Sequence, residues 1–295
     1  VGGTFSVGAG GYRLDGEVNT LERENILQAR DLCYAYDGDH RALNGVSMDI
    51  AAGERIAVMG SNGAGKSTFF LHLNGVLRPD SGAVLCRGSE VTDRDVHALR
   101  RQVGIVFQNA DDQIIASTVG QEVAFGPMNL KLPREEVLAR TEEALACLNL
   151  SAYRDRPPHY LSGGEKKRVS IADIIAMHPE IIIFDEPTAS LDPRNAALLE
   201  EVLDRLALQG KTILLSTHDV DFAYRWAERV VVFHEGRIIA DGGTLPVFQD
   251  REVLFRAGLR RPMLLELYES LRQRGIAGGG DYPRSVEALL DSCGG

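Results

Sequence analysis

Three glycines, a lysine and a serine fall at a spacing suited to holding phosphate. Gly60-Ser61-Asn62-Gly63-Ala64-Gly65-Lys66-Ser67 fits G-x-x-x-x-G-K-S, a loop whose main-chain N–H groups curl around the oxygens of a nucleoside triphosphate. Gly60, Gly63 and Gly65 permit the curl. In such a loop Lys66 reaches the β- and γ-phosphates and the Ser67 hydroxyl is offered to Mg2+, with Thr68 following into the helix. The apolar run Ile56-Ala57-Val58-Met59 ahead of the loop reads as a buried strand, and residues 67–77 behind it suit a helix. A helix start adds partial positive charge where the phosphates would lie. The plainer reading, a glycine-rich turn with a chance lysine, leaves these flanking elements unexplained.

Two more stretches carry chemistry. Ile181-Ile182-Ile183-Phe184-Asp185-Glu186 is an apolar strand ending in two carboxylates. At a strand end Asp185 can hold Mg2+, directly or through water. Glu186 is the better candidate to polarise an attacking water, since a carboxylate beside a γ-phosphate can accept its proton. Alone, the pair fits a solvated acidic turn equally well. Leu161-Ser162-Gly163-Gly164-Glu165 precedes a helix-compatible run at 166–177. A serine hydroxyl, glycine N–H groups and a helix start make a second anion cradle. Ser162 with Glu165 also fits a capping box. Both readings hold together, because the cap builds the cradle.

With these residues in place, the chain resembles the ABC family of ATPases. Residues 161–165 resemble its L-S-G-G-Q/E signature, and the remaining family motifs follow in order. Gln108, in Val106-Phe107-Gln108-Asn109, matches the Q-loop glutamine, which the family places near the Mg2+. Ala189-Ser190-Leu191-Asp192 matches the D-loop, and His218, in Ser216-Thr217-His218-Asp219, the switch histidine. Tyr36 matches the aromatic that stacks on adenine; Tyr34 is its alternative, since strand alternation puts both on one face. The resemblance covers residues 26–250. It implies a P-loop ABC cassette: a RecA-like parallel core, a small antiparallel β-subdomain and a helical signature subdomain at about 109–176. It also implies a head-to-tail dimer, with ATP and Mg2+ between the phosphate loop of one subunit and the signature of the other. Every motif is intact, so a homodimer with two hydrolytic sites is feasible; a heterodimer with a sister ATPase fits the same motifs.

Three stretches narrow the resemblance to the ATPases of energy-coupling-factor importers, especially the cobalt/nickel type. They are residues 103–114, 123–130 and 161–169. The group usually has proline where Ala110 stands, which bears on the stiffness of that loop. In such importers the segment after the Q-loop grips a helix of a transmembrane coupling subunit, and a further membrane subunit selects the substrate. Asp111, Asp112 and Gln113 are expected to face basic residues on that helix, where rim charges set register more than affinity. The stretches 258–262 and 283–289 resemble C-terminal extensions of the cobalt/nickel branch. Such a subunit works at the cytoplasmic face of the membrane through its partners. The rival readings are the shared ATPase of a vitamin importer and a soluble ABC ATPase acting on nucleic acid or ribosomes.

The elements that must position these residues alternate as strand and helix after Arg55, which implies a parallel α/β sheet. Residues 26–36 and 46–50 read as short strands of a small antiparallel sheet, with 82–87 a possible addition. Residues 133–150 and 200–208 carry helical spacing; 181–185, 212–216 and 230–233 read as buried strands. Past residue 250, stretches at 254–259, 263–274 and 285–290 suit helices. The expected division is therefore a flexible tail at 1–24, a nucleotide-binding unit at 25–250 and a helical extension at 251–295.

Composition sets limits. Of 295 residues, 44% are apolar and 25% charged, ordinary for a globular protein. The net charge of -10 argues against a nucleic-acid partner and against adhesion to an anionic membrane. Cys33, Cys86, Cys147 and Cys293 lie far apart without a C-x-x-C pair, which suits a reducing cytosol. No apolar run approaches the ~20 residues of a membrane-spanning helix, and no secretory signal is visible. The seven histidines are dispersed. They offer no site for a transported ion.

Overall fold

Strand β4 sets the plan. Arg55–Met59 is apolar almost throughout and buried on both faces, as a strand at the centre of a parallel sheet must be. The computed structural model describes residues 12–13, 23–36, 41–189, 191–278 and 280–293. Its strands in chain order are β1 (Tyr12–Arg13), β2 (Asn25–Ala35), β3 (Arg41–Ala51), β4, β5 (Ser81–Cys86), β6 (Ser89–Glu90), β7 (Val103–Val106), β8 (Ile181–Phe184), β9 (Thr212–Ser216), β10 (Arg229–His234) and β11 (Arg237–Gly243). The larger sheet runs β1-β11-β10-β4-β9-β8-β7, parallel from β10 to β7. The smaller is antiparallel, in the order β3-β2-β5-β6.

The helices are α1 (Lys66–Leu73), α2 (Val96–Gln102), α3 (Val119–Asn129), α4 (Arg134–Cys147), α5 (Gly163–Ala176), α6 (Pro193–Leu208), α7 (Val220–Trp226), α8 (Thr244–Gln249), α9 (Arg251–Ala257), α10 (Met263–Gln273) and α11 (Val286–Cys293). Strand alternation sorts the core onto two faces. Ile56, Val58, Ile183 and Leu214 pack on one face with α1 and the small sheet. Ala57, Met59, Ile182 and Leu215 pack on the other with α3–α7. The α/β class, the small antiparallel sheet and the helical group between β7 and β8 are as the sequence implies.

Several bounds differ from expectation, each for a local reason. Helix α1 stops at Leu73 rather than 77, because Gly75 takes φ +71 and turns the chain. Helix α6 starts at Pro193, seven residues before the expected 200: Asp192 caps it, accepting from Asn195 N at 2.9 Å, and proline suits the first helical position. Helix α3, absent from the sequence reading, contains Gly120, Gly126 and Pro127. Packing overrides propensity there: at Gly126 a Cβ would meet Met177 Cγ at 2.5 Å, so the glycine lets α3 lie against the end of α5. Strand β11 was also unexpected. Its signal is the Glu235-Gly236 pair, both at positive φ, which closes a tight hairpin from β10.

At the C-terminus, α10 and α11 enclose Tyr268 and Leu289 and dock beside α7. Arg260 donates to Asp221 at 3.1 Å and Arg284 to the Ala227 carbonyl at 2.8 Å. Within the stretch expected as a tail, Tyr12–Arg13 runs parallel to β11; the rest of residues 1–22 lies outside the described ones.

Candidate functional site

The loop after β4 delivers its donors inward. Gly65 sits at φ +105, where an added Cβ would meet the Ala42 carbonyl at 2.5 Å, so no other residue fits there. Helix α1 then begins with no side-chain cap. Among the described residues the N–H groups of Gly63, Gly65, Lys66 and Ser67 have no protein acceptor. Gly65 and Lys66 are buried, and buried unpaired donors call for an acceptor from outside the chain. The Lys66 ammonium donates to the Gly60 and Ser61 carbonyls at 2.8 and 3.0 Å. Burial holds it below its ordinary pKa, while Glu186 and Asp185 oppose that shift. The donor set is N–H groups with one cation, which fits the phosphates of a nucleotide. Tyr36 stands beside this loop, 56% exposed, its hydroxyl 3.2 Å from Thr68 Oγ1. Tyr34 is half-buried and meets the Tyr36 ring edge-on at 5.0 Å.

Four neighbouring parallel strands end at one place, where open α/β sheets bind ligands. Beyond β4 lies Lys66, beyond β8 Asp185 and Glu186, beyond β9 His218, beyond β7 Gln108. Glu186 joins them. Its Oε1 is 2.7 Å from His218 Nε2 and 4.0 Å from Lys66 Nζ; its Oε2 accepts from Gln108 Nε2 at 3.3 Å. Glu186 holds φ +43, a conformation that costs about 1–3 kcal/mol for a residue with a side chain. Asp185, 7% exposed, accepts from Ser216 Oγ at 2.6 Å, and the same hydroxyl accepts from Glu186 N at 2.8 Å. Ser216 was not singled out from the sequence. The available signal was a polar residue closing the apolar strand 212–216.

The second cradle is separate from the first. Ser162 Oγ accepts from Glu165 N at 3.3 Å and Glu165 Oε2 from Ser162 N at 2.7 Å, a complete capping box on α5. The Ser162 N–H holds the Glu165 carboxyl below its ordinary pKa. Gly164 lies against Asn195, where a Cβ would meet Nδ2 at 2.6 Å. Asp192 accepts from that same amide at 2.7 Å. Ser162, Glu165, Asp192 and Asn195 share an open cavity of about 600 Å3 with Tyr153 and Arg194. Among the described residues no hydrogen bond or ion pair links residues 162–165 to 60–68. One sequence reading needs correction. Gln113 does not face outward: its amide donates to the Ser170 carbonyl at 2.8 Å and to Asp173 at 3.1 Å, and among the described residues no other donor reaches the Asp173 carboxyl. Asp111 is paired with Lys166 at 2.7 Å, while Asp112 is exposed.

A family model described as ABC transporter matches residues 43–189. An energy-coupling factor transporter ATP-binding protein of Methanospirillum hungatei is 49% identical over 269 residues, 90% of this chain and 68% of that protein. A cobalt import ATP-binding protein of Rhodobacter capsulatus is 47% identical over 267 residues, 90% of this chain and 95% of its own. Among solved structures, cbiO1 from Clostridium perfringens, part of the ABC transporter complex cbiONQ, superposes with a TM-score of 0.70. It is 39% identical and covers 83% of this chain and 99% of that one. Among the described residues no helix is long and apolar enough to cross a membrane.

Proposed function

This chain belongs to the ATP-binding proteins of ABC transporters, and we propose that it is the ATP-hydrolysing subunit that powers import of a cobalt or nickel ion through an energy-coupling-factor transporter. One observation carries the hydrolytic part: Glu186 is gathered with Lys66, Gln108 and His218 beside a loop of unpaired donors. In this reading Lys66 and the N–H groups of residues 60–68 bind the phosphates of ATP, and Tyr36 packs on the base. Glu186 orients the attacking water and accepts its proton. Gln108 and His218 hold the Glu186 carboxylate and sense the γ-phosphate.

Mg2+ would be held by Ser67, Asp185 and Gln108. The donor set suits it. The Ser67 hydroxyl is exposed, one Asp185 oxygen remains after Ser216, and the Gln108 amide oxygen has no protein partner among the described residues. A hard cation prefers such oxygens, and it neutralises charge on the phosphates.

The division into residues 25–250 for nucleotide, with a helical part at 109–176, and 251–295 as an extension organises the rest. The separation of the two cradles supports a two-fold dimer, in which residues 162–165 and Asp192 of each subunit complete the site of the other. The transporter partners are a transmembrane coupling subunit and a substrate-selecting subunit, which place the chain at the cytoplasmic face of the membrane. Cobalt is supported by likeness to a cobalt import protein across 95% of that protein's length. The test is uptake of radiolabelled cobalt and nickel in cells lacking this chain. Loss of ion uptake, restored by the wild-type chain and not by Glu186→Gln, supports the reading. Intact ion uptake with lost vitamin uptake replaces it with the shared vitamin-importer ATPase.

A further inference from the structure

Helix α5 carries a buried cation that the site described above does not use. Lys167 is 3% exposed, and its ammonium donates to the Phe107 carbonyl at 2.6 Å and to the Gln108 carbonyl at 2.9 Å. Among the described residues no other donor reaches either carbonyl, and Lys167 has no ion pair. Burial lowers its pKa to about 8, with Asp185 alone opposing. A buried ammonium held by two main-chain carbonyls is a poor stability device, because desolvation offsets what the hydrogen bonds contribute. What the arrangement does supply is position.

We propose that Lys167 is a positioning residue that ties α5 to the main chain of Gln108, and so sets how the Gln108 amide meets Glu186. The proposal rests on the reading of Gln108 and Glu186 given above. A second tie runs beside the first: Gln113 Oε1 accepts from Phe107 N at 3.4 Å while its amide donates to Ser170 of α5. Lys167 and Ser170 are three residues apart, on one helix face. The loop 107–113 is therefore held by α5 rather than by β7, which ends at Val106. The Gln108–Glu186 contact, at 3.3 Å, is long for a hydrogen bond. A small displacement of α5 makes or breaks it. Helix α5 starts at the cradle of residues 162–165, so contact of a partner's nucleotide with that cradle reaches this chain's own Glu186 through Lys167.

The test is a double-mutant cycle on ATP turnover by the full-length chain, using Lys167→Met, Gln108→Ala and the pair. Lys167→Met is expected to lower kcat about 10-fold while KM for ATP stays within about 2-fold, since misplacing a group near the chemistry costs on this scale or more. In the Gln108→Ala background the same substitution is expected to cost less than about 2-fold, because residues acting through one contact are not additive. Losses that multiply, or an unchanged kcat for Lys167→Met, overturn the Lys167 step alone. A wild-type kcat for Gln108→Ala overturns the reading of Gln108 and this proposal with it. Circular dichroism checks folding. Should Lys167→Met not fold, Lys167→Gln, which keeps a donor for one carbonyl, enters the same cycle with the same expectations at smaller size.

Discussion

Helices α1 and α5 both start at glycine-rich loops that carry a serine, and they finish their first turns in opposite ways. At α1 the cap position is Gly65, no side chain caps the helix, and the leading N–H groups are unpaired. At α5, Ser162 and Glu165 close a capping box, worth about 1 kcal/mol to the helix. The difference fits two kinds of anion site. The α1 loop has its lysine and its carboxylates within the same chain, and its donors wait for the ligand to satisfy them. The α5 cradle lies apart from those groups and keeps itself formed on a surface, as the proposed role of completing another subunit's site requires.

The hardest blow to the comparison would come from Lys66 and Glu186. Lys66→Ala is expected to abolish turnover and ATP binding by the isolated chain. Glu186→Gln is expected to lower kcat by about 10²–10⁴-fold, the range for a general base, while ATP binding, read by calorimetry, remains. Equal loss of binding in both variants would mean that Glu186 holds nucleotide rather than water.

Gly163→Asp attacks the other helix. Nothing lies within 4 Å of a Cβ at Gly163, so the fold should tolerate the side chain, and its charge opposes a phosphate at the cradle. Turnover should fall at least about 100-fold with ATP affinity nearly unchanged. Mixing this variant with Lys66→Ala should then restore activity, because one of the two sites in the mixed dimer is wholly wild type. A mixture as inactive as its components would show that both cradles serve the same chain's nucleotide.

Ser216→Ala is a smaller test of how the carboxylates are held. It removes the acceptor for Glu186 N and the donor to Asp185. Leaving such groups unpaired costs about 1–3 kcal/mol, and turnover should drop about 10-fold through the displaced Glu186. Unchanged turnover with lowered stability would limit Ser216 to a structural part.

What the sequence made legible follows from the same contrast. Lys66, Ser67, Asp185 and Glu186 stand at strand and helix ends marked by glycines or by long apolar runs, so local pattern was enough. Gln108 and His218 needed the ordered set of family motifs, since a lone glutamine or histidine after a strand carries no signal. Ser216, Lys167 and Gln113 were not legible as parts of the site. Each acts by donating or accepting across a distance of 30 to 60 residues in sequence, and a polar residue in an apolar stretch does not name its partner. Helix α3 was hidden for a related reason: its glycines are explained only by Met177 and Arg154 packed against them.

The smallest expected effect concerns a second titratable group on α5, the Asp173 carboxyl. Asp173 has its carboxyl pushed up from 3.8 to about 7, mainly by burial, with Glu122 adding to the rise and the Gln113 amide opposing it. Among the described residues no cation pairs with it. Between the unfolded and folded values, the folded chain keeps a proton that the unfolded chain has released. Stability contributed by the neutral acid is therefore fully present below about pH 4 and is lost as pH rises toward about 7. Asp173→Asn keeps the neutral form at every pH and can still offer an oxygen to Gln113. The variant should melt with the wild type near pH 4 and a few degrees above it at pH 8, the gap opening across the window between. A gap that is constant with pH would mean that Asp173 ionises normally and that the α5 side, like the α1 side, tolerates its buried charge through partners rather than through protonation.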